Sequence, residues 1–506
     1  MNSSNKFTFI DLFSGIGGFR IALSNIGGEC QNFSEINNDA IRTYCTNFQE
    51  SASGNLGDIT KIKELPPHDI LTAGVPCQSW SIAGKNLGFD DDRGQLWNDT
   101  IYLLNQSRPK AFIFENVKGL ADPRNRDALF YILKRIKDAG YFANYYVINS
   151  FDYGVPQNRV RIYIVGFREK EFSLKFNIPN PFSKKIRLGD ILSNFNSKFV
   201  KKEQVIQQSL FGDFAQKKYT SLSSNNGIND YFLFNDLRNG HSTIHSWDII
   251  DTTERQKEIC YLLLKNRRKS AYGNLDGNPL SLQHFQGLDP TIEQQDLDRL
   301  VKLGILKAEK YAFLIESFDA VELSDEEYAV LQHGNNGRLV IDDLKSSGAL
   351  KLKKISVLKT VAALLDKDII ICEEVRYDFK NTKISTGLFG INRIFLPTSD
   401  IFPTLVASDS NDYITLEEIK AENIENYKRL FIQRVYKKNN YRKITREEAC
   451  LIQGFPKNFM LPESRVRWMK LLGNSVSVPV VEMLGRAIVK TGVLGEQCSE
   501  KITIVK

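Results

Sequence analysis

The chain has little of what builds metal-bound, disulfide-bonded or membrane-spanning proteins. Of its 506 residues only seven are cysteine and five are histidine. The cysteines are odd in number and scattered, with no Cys-x-x-Cys pair. A disulfide framework and a structural zinc site are therefore not expected, and no metal is. No apolar run approaches the roughly 20 residues that cross a bilayer. Residues 1–6 are short and polar and lack a signal-peptide pattern, so the expected location is the cytoplasm. A strong charge of one sign is missing too. The formal net charge of +7 permits a polyanionic partner without demanding one. No internal repeat of fixed period is visible.

What remains is the composition of a soluble globular protein, 42% hydrophobic and 25% charged. The length predicts two or three domains. In the first part, strand-like runs (Phe7–Phe13, Asp69–Val75, Lys110–Glu115, Tyr145–Asn149, Arg161–Phe167) alternate with helix-like ones (Phe19–Asn25, Asn125–Ala139). That alternation predicts an α/β domain with a largely parallel sheet. The character changes after about Phe182. Within 245–320, Glu254–Lys265 and Asp296–Leu306 read as helices and Lys310–Ile315 as a strand, which is the order of a winged-helix module. A helical insertion without DNA contact fits the same pattern, and both readings stand. A β-like stretch follows from Ile384 to Ile414. Order returns at Thr445-x-x-Glu448, a capping box that opens a helix at Arg446.

Several residues stand where chemistry is done. The run from Phe9 to Gly18 is a strand feeding a glycine turn and a helix start, which lets a ligand approach backbone N–H groups. The turn is not G-x-G-x-x-G, and this favours a nucleoside without a pyrophosphate. Glu35 and Asp58 close the next two segments, and an acidic residue at such a place suits ribose hydroxyls. Cys77 follows a strand within Pro76-Cys-Gln78. A lone cysteine is more often a small buried hydrophobe, but a cysteine on a loop at the ligand edge can be a nucleophile. Glu115 ends a buried strand, where a carboxylate is costly unless paired or functional. Arg159 and Arg161 lie two apart on an extended segment and can face one anion. Structural salt bridges would explain them equally well.

Together these motifs resemble the DNA (cytosine-5) methyltransferase family, over Lys6 to about Phe167 and again over about Thr445 to Lys490. The resemblance rests on Phe13–Gly17 with Asp11 before it and Gly18 after it, Pro76–Gln78, Glu115–Val117 and Gln157-x-Arg159-x-Arg161. It rests also on Arg446-Glu447 with Gln453-Gly454-Phe455-Pro456, and on Gly473–Val476. Six motifs in the family's order, with its long gap before the last two, make chance implausible.

The resemblance implies an S-adenosylmethionine-dependent Rossmann-like α/β domain, with a smaller mixed target-recognition domain inserted before the C-terminal segment. Residues 1–184 and 441–506 would form the catalytic domain and 185–440 the recognition region. Cys77, Glu115, Arg159 and Arg161 would be catalytic. Phe13, Ser14, Gly15, Ile16, Gly18, Glu35, Ile36, Asp58, Ile59, Pro76, Asn474 and Val476 would hold the cofactor S-adenosylmethionine. Gln78, Ser79, Ser81, Arg93, Gln157 and Thr404 would contact DNA. The Lys265–Lys269 cluster is the candidate for phosphate contact. The implied partners are double-stranded DNA and a cognate restriction endonuclease, with the enzyme a monomer. A tRNA methyltransferase with the same core, a catalytically dead DNA-binding regulator and a nucleotide-binding oxidoreductase are the competing classes.

Overall fold

The computed structural model describes residues 7–76, 92–193, 195, 231–234, 243–274, 277–316, 322–381 and 388–495, with the side chains of 92–94 left aside. The chain divides into two compact units, Met1–Tyr231 with Ile394–Lys506, and Phe232–Arg393. Both units are mixed, so the chain as a whole is α/β. Among the described residues no helix is long and apolar enough to cross a membrane.

The first unit is built on a six-stranded sheet, in the order Gly28–Ser34, Phe7–Leu12, Ile70–Gly74, Ala111–Val117, Val160–Phe167, Phe142–Asn149. The first four strands are parallel, and Val160–Phe167 runs antiparallel to both its neighbours. The central strands Phe7–Leu12, Ile70–Gly74, Ala111–Val117 and Val160–Phe167 are buried and mostly apolar on both faces, as a sheet covered on both sides requires. Ile10, Leu12, Leu71, Phe112 and Phe114 pack into one core with Trp97 and Ile132. Phe7, Phe9, Ile70 and Ile113 pack into the other with Phe19, Val480 and Leu484. Helix Val478–Lys490 thus returns to the start of the chain. It can lie close to helix Gly18–Ser24 because Gly485 has no side chain: a Cβ there would lie 2.7 Å from Ile26 and 2.9 Å from Leu23. The last stretch of the expected recognition region, residues 394–440, falls in this unit and not with Phe232–Arg393.

The second unit carries a four-stranded antiparallel sheet, in the order Leu280–Ser281, Ile370–Phe379, Leu306–Ile315, Arg338–Val340. Its register shows a repeat that no fixed period in the sequence announces. Leu280 pairs with Tyr377 and Ser281 with Arg376. In the same way Leu339 pairs with Phe313 and Val340 with Ala312. The two long strands pair end to end, Leu306 with Phe379 and Ile315 with Ile370. Exchanging the halves therefore maps the sheet onto itself. Each half runs helix, short strand, helix, helix, long strand. The first half uses Glu254–Asn266, Leu280–Ser281, Leu282–Leu288, Gln294–Lys302 and Leu306–Ile315. The second uses Asp325–Leu331, Arg338–Val340, Ile341–Ser346, Val357–Asp366 and Ile370–Phe379, with an extra short helix, Gly348–Leu352. The buried positions correspond as well: Phe285 with Leu344, Leu297 with Val361, Leu300 with Leu364, Ile305 with Ile369.

Candidate functional site

The glycine turn follows the first strand directly. Phe13 and Gly15 both take left-handed backbone angles, φ 52° and 54°, and Gly17 has φ 87°. At Gly15 a side chain would meet nothing within 4 Å, so the turn faces open space. Ile16 is buried, and Ser14 is buried with no partner for its Oγ among the described residues. The Glu35 carboxylate closes the turn from the next strand end. Its Oε2 accepts from Gly15 N at 2.9 Å, and its Oε1 accepts from Ile36 N and Asn37 N at 2.8 Å each. Ile36 beside it is 72% exposed, an unusual place for a large aliphatic side chain. Asp58 caps the short helix Ile59–Lys61, accepting from Thr60 N and Oγ1 at 3.1 and 2.9 Å. Those bonds hold its carboxyl below the usual carboxylate range. Ile59 is buried beneath it.

The strand Ile70–Gly74 leads to Pro76, the last described residue before Cys77. Cys77, Gln78, Ser79 and Ser81 lie outside the described residues, as does the side chain of Arg93. The strand end and Val75 are held in place. Gly74 stands in register with Glu115. Asn116, almost fully buried, donates from Nδ2 to Val75 O at 3.2 Å. Glu115 is buried and ion-paired to Arg161, Nε to Oε1 at 3.1 Å. Burial pushes its carboxyl up, and the positive charges of Arg161 and Arg159 oppose that rise without cancelling it.

The two arginines divide their work. Arg161 meets Glu115, whereas Arg159 is 2% exposed and bonds to main-chain carbonyls far along the chain. Its guanidinium donates to Gly473 O twice at 3.2 Å, to Ser475 O at 2.6 Å and to Leu405 O at 3.5 Å. Gln157, fully buried, donates from Nε2 to Gln453 Oε1 at 3.0 Å, and Gln453 donates in turn to Ser475 O at 2.8 Å. The short strand Phe402–Pro403 runs parallel to Gln157–Asn158, and Thr404 Oγ1 donates to Asn158 O. Gly473 fits only because it has no side chain: a Cβ there would lie 2.6 Å from Val406 C and from Ala407 N. In this structure, then, Gln157 and Thr404 make bonds within the protein beside the Gly473 turn.

That turn reaches the glycine turn. A Cβ at Gly18 would lie 2.7 Å from Val476 Cγ2. Val476 is buried and Asn474 exposed. Glycine turn, Glu35, Pro76, Glu115 and Val476 thus lie at the C-terminal edge of the parallel strands or against residues that do, which is where open α/β sheets bind ligands.

Three residues here are not marked by the sequence in their own right. Asp11 is fully buried, with Oδ1 accepting from Thr72 Oγ1 at 3.0 Å and Oδ2 unpartnered among the described residues. Burial raises its pKa to about 7. Gln453 carries the chain of bonds described above. Tyr163, in register with Glu115, has a buried hydroxyl with no partner among the described residues. All three lie in or beside the motifs quoted, but only a polar side chain's burial marks it out, and sequence does not report burial.

The sequence matches the family described as C-5 cytosine-specific DNA methylase over residues 7–337 and 342–490. Type II methyltransferase M.HgiBI of Herpetosiphon aurantiacus is 41% identical to it over 485 residues, covering 96% of this chain and 97% of that protein. Type II methyltransferase M.NlaIV of Neisseria lactamica is 30% identical over 507 residues, covering 96% of this chain and 99% of that protein.

Proposed function

Since the chain belongs to the C-5 cytosine-specific DNA methylase family and is a DNA (cytosine-5-)-methyltransferase of the restriction-modification type, we propose that it methylates a flipped-out cytosine of duplex DNA through a covalent adduct with Cys77, using S-adenosylmethionine. The observation that carries this reading is Glu115. It is a buried carboxyl at the sheet edge, raised by burial, ion-paired to Arg161, and in register with the strand residue three positions before Cys77.

The residues present fit an adenosyl donor. The Gly15 turn is open to a ligand, the Ser14 hydroxyl is orphaned beside it, and Ile36 offers an exposed apolar face for an adenine ring. Glu35 and Asp58 supply carboxylates for ribose and amine groups, Gly18 and Val476 narrow the pocket, and Pro76 and Asn474 border it. When bound, S-adenosylmethionine supplies an electrophilic methyl group. The protein's part is to make C5 of cytosine a nucleophile. The Cys77 thiolate bonds to C6, and Glu115, protonated, donates to N3 and stabilises the electron-rich ring. After C5 has accepted the methyl group and lost its proton, the sulfur–C6 bond breaks and the thiolate leaves. Arg161 holds Glu115 in position. Arg159 acts through the main chain, fixing Gly473 and Ser475. A stacked base cannot be reached, so the nucleotide must leave the helix. Gln78, Ser79, Ser81 and Arg93 are the proposed contacts to DNA around the cysteine loop. The 185–440 region is the proposed reader of sequence, the enzyme working as a monomer alongside a nuclease of the same site.

A duplex carrying 5-fluorocytosine tests the chemistry. Wild type should form an adduct stable to denaturing electrophoresis in the presence of the donor, and Cys77→Ser should form none while still binding donor and DNA. An adduct that persists in Cys77→Ser would overturn the assignment of the nucleophile.

A further inference from the structure

The two halves of the inserted unit share one plan but differ in charge. Helix, short strand, helix, helix, long strand is the order of a winged helix. The sheet agrees, because each short strand lies beside the other half's long strand, which lies beside its own. In such a module the corner joining the second and third helices, with the third helix, meets nucleic acid. In the second half, the chain from Leu344 to Leu365 carries five lysines (Lys345, Lys351, Lys353, Lys354, Lys359) and no Asp or Glu. All five are exposed, and none is ion-paired among the described residues. Ser356, which precedes helix Val357–Asp366, makes no side-chain capping bond to its first turn. In the first half, the matching stretch from Phe285 to Val301 carries Asp289, Glu293, Asp296 and Asp298 against Arg299, and Asp289 is ion-paired to Arg255 of the first helix.

The Lys265–Lys269 cluster does not play this part as a unit. Arg267 is 4% exposed and holds Asp378 with Nε and Nη2 at 3.1 and 2.8 Å, so it is spent inside the fold.

We infer that the lysine corner of the second half is a sequence-independent binding surface for the phosphates of duplex DNA, and that the acidic first half is excluded from the backbone. The carboxylates of Glu293, Asp296 and Asp298 next to phosphates are repelled, and five unpaired ammonium groups on one corner release counterions when they meet a polyanion. A charge run is usually only a solvated face. Here it occupies the nucleic-acid-facing corner of its module in an enzyme that acts on DNA, while the equivalent corner of the other half bears the opposite sign. The two corresponding halves offer two candidate surfaces, and charge leaves one.

The test measures affinity for a cognate and a non-cognate duplex by fluorescence anisotropy across a salt series, using full-length protein. Lys351→Gln, Lys353→Gln, Lys354→Gln and Lys359→Gln combined should weaken both duplexes alike, by about tenfold or more near 100 mM salt. The slope of log K against log salt should fall by up to about 3.6, roughly 0.9 for each phosphate that is no longer neutralised. Glu293→Gln with Asp298→Asn should not reduce affinity or slope. A lysine variant with wild-type circular dichroism and an unchanged slope would overturn the inference and leave the corner a solvated face. An equal fall of slope in the carboxylate variant would overturn the division between halves. Neither result touches the proposed chemistry, which the fluorocytosine adduct reads separately.

Discussion

In the catalytic unit, buried polar bonds tie together segments that have nothing in common: Arg159 reaches Gly473, 314 positions away, and Gln157 reaches Gln453. In the inserted unit the two halves of one pattern join largely through apolar residues, Tyr377 and Phe379 packing into the first half's core and Tyr311 and Phe313 into the second's, with the buried Arg267–Asp378 pair beside them. On the proposed division of labour, the difference follows from what each unit must do. A reacting site needs particular atoms in particular places, and a buried guanidinium or amide bonded to carbonyls of distant segments specifies such an arrangement. A surface that docks on a regular polymer needs shape and charge, and many apolar combinations supply the shape.

This contrast can be broken at several points. The largest effect is expected from Arg159→Ala, which strands the buried carbonyl of Gly473, leaves that of Ser475 to Gln453 alone and empties the space of a fully buried side chain. At about 1–3 kcal/mol for each buried group left unsatisfied, the catalytic unit should lose several degrees of thermal stability and with it donor binding. Calorimetry with and without S-adenosylmethionine checks both. Next comes Arg267→Ala, which leaves Asp378 buried without its partner at a cost of about 3–5 kcal/mol. Limited proteolysis should then open the inserted unit first, while donor affinity stays at the wild-type value.

Gly18→Ala should cost about 1–3 kcal/mol by overpacking against Val476. Val476→Ala in the same chain should return most of it, and thermal melts of the four variants form the cycle that tests the contact. The effect at Asp11 depends on pH. Its folded pKa of about 7 exceeds the ordinary value of 3.8, so its neutral form favours the fold. That contribution is complete below about pH 4 and is lost as pH rises through 7. Asp11→Asn should therefore gain on wild type in melting temperature from pH 4 to 7, with a constant difference above.

Five of the six strands of the main sheet were legible because their apolar runs sit between glycines and polar turns, whereas the edge strand Gly28–Ser34, polar at its centre, was not read as one. A candidate site could be proposed from sequence because Pro76–Gln78, Glu115–Val117 and Gly473–Val476 are short motifs rich in residue types that chemistry demands. The expectation that Arg159 and Arg161 could face one anion came from their spacing. Spacing says nothing of what approaches from elsewhere, and Gly473 does. The repeat in the inserted unit stayed hidden for a different reason. Leu280 and Leu339 stand 59 positions apart but Leu306 and Ile370 stand 64 apart, since the second half has a longer corner. A search for one fixed period passes over such a slip, and swaps such as Phe285 for Leu344 preserve burial without preserving identity.

The exchanged strands also set a timetable for synthesis. Leu280 and Ser281 leave the ribosome early but have no ladder to join until Arg376 and Tyr377 emerge, because their partner strand belongs to the other half. Arg338–Val340 finds its own partner, Leu306–Ile315, already made. The first-made half must therefore wait and the second-made half need not. A ribosome stalled between Ile315 and Ile370 would hold a nascent chain whose first short strand has no place to go. The insertion is in this sense one indivisible piece of folding, however plainly it is written twice.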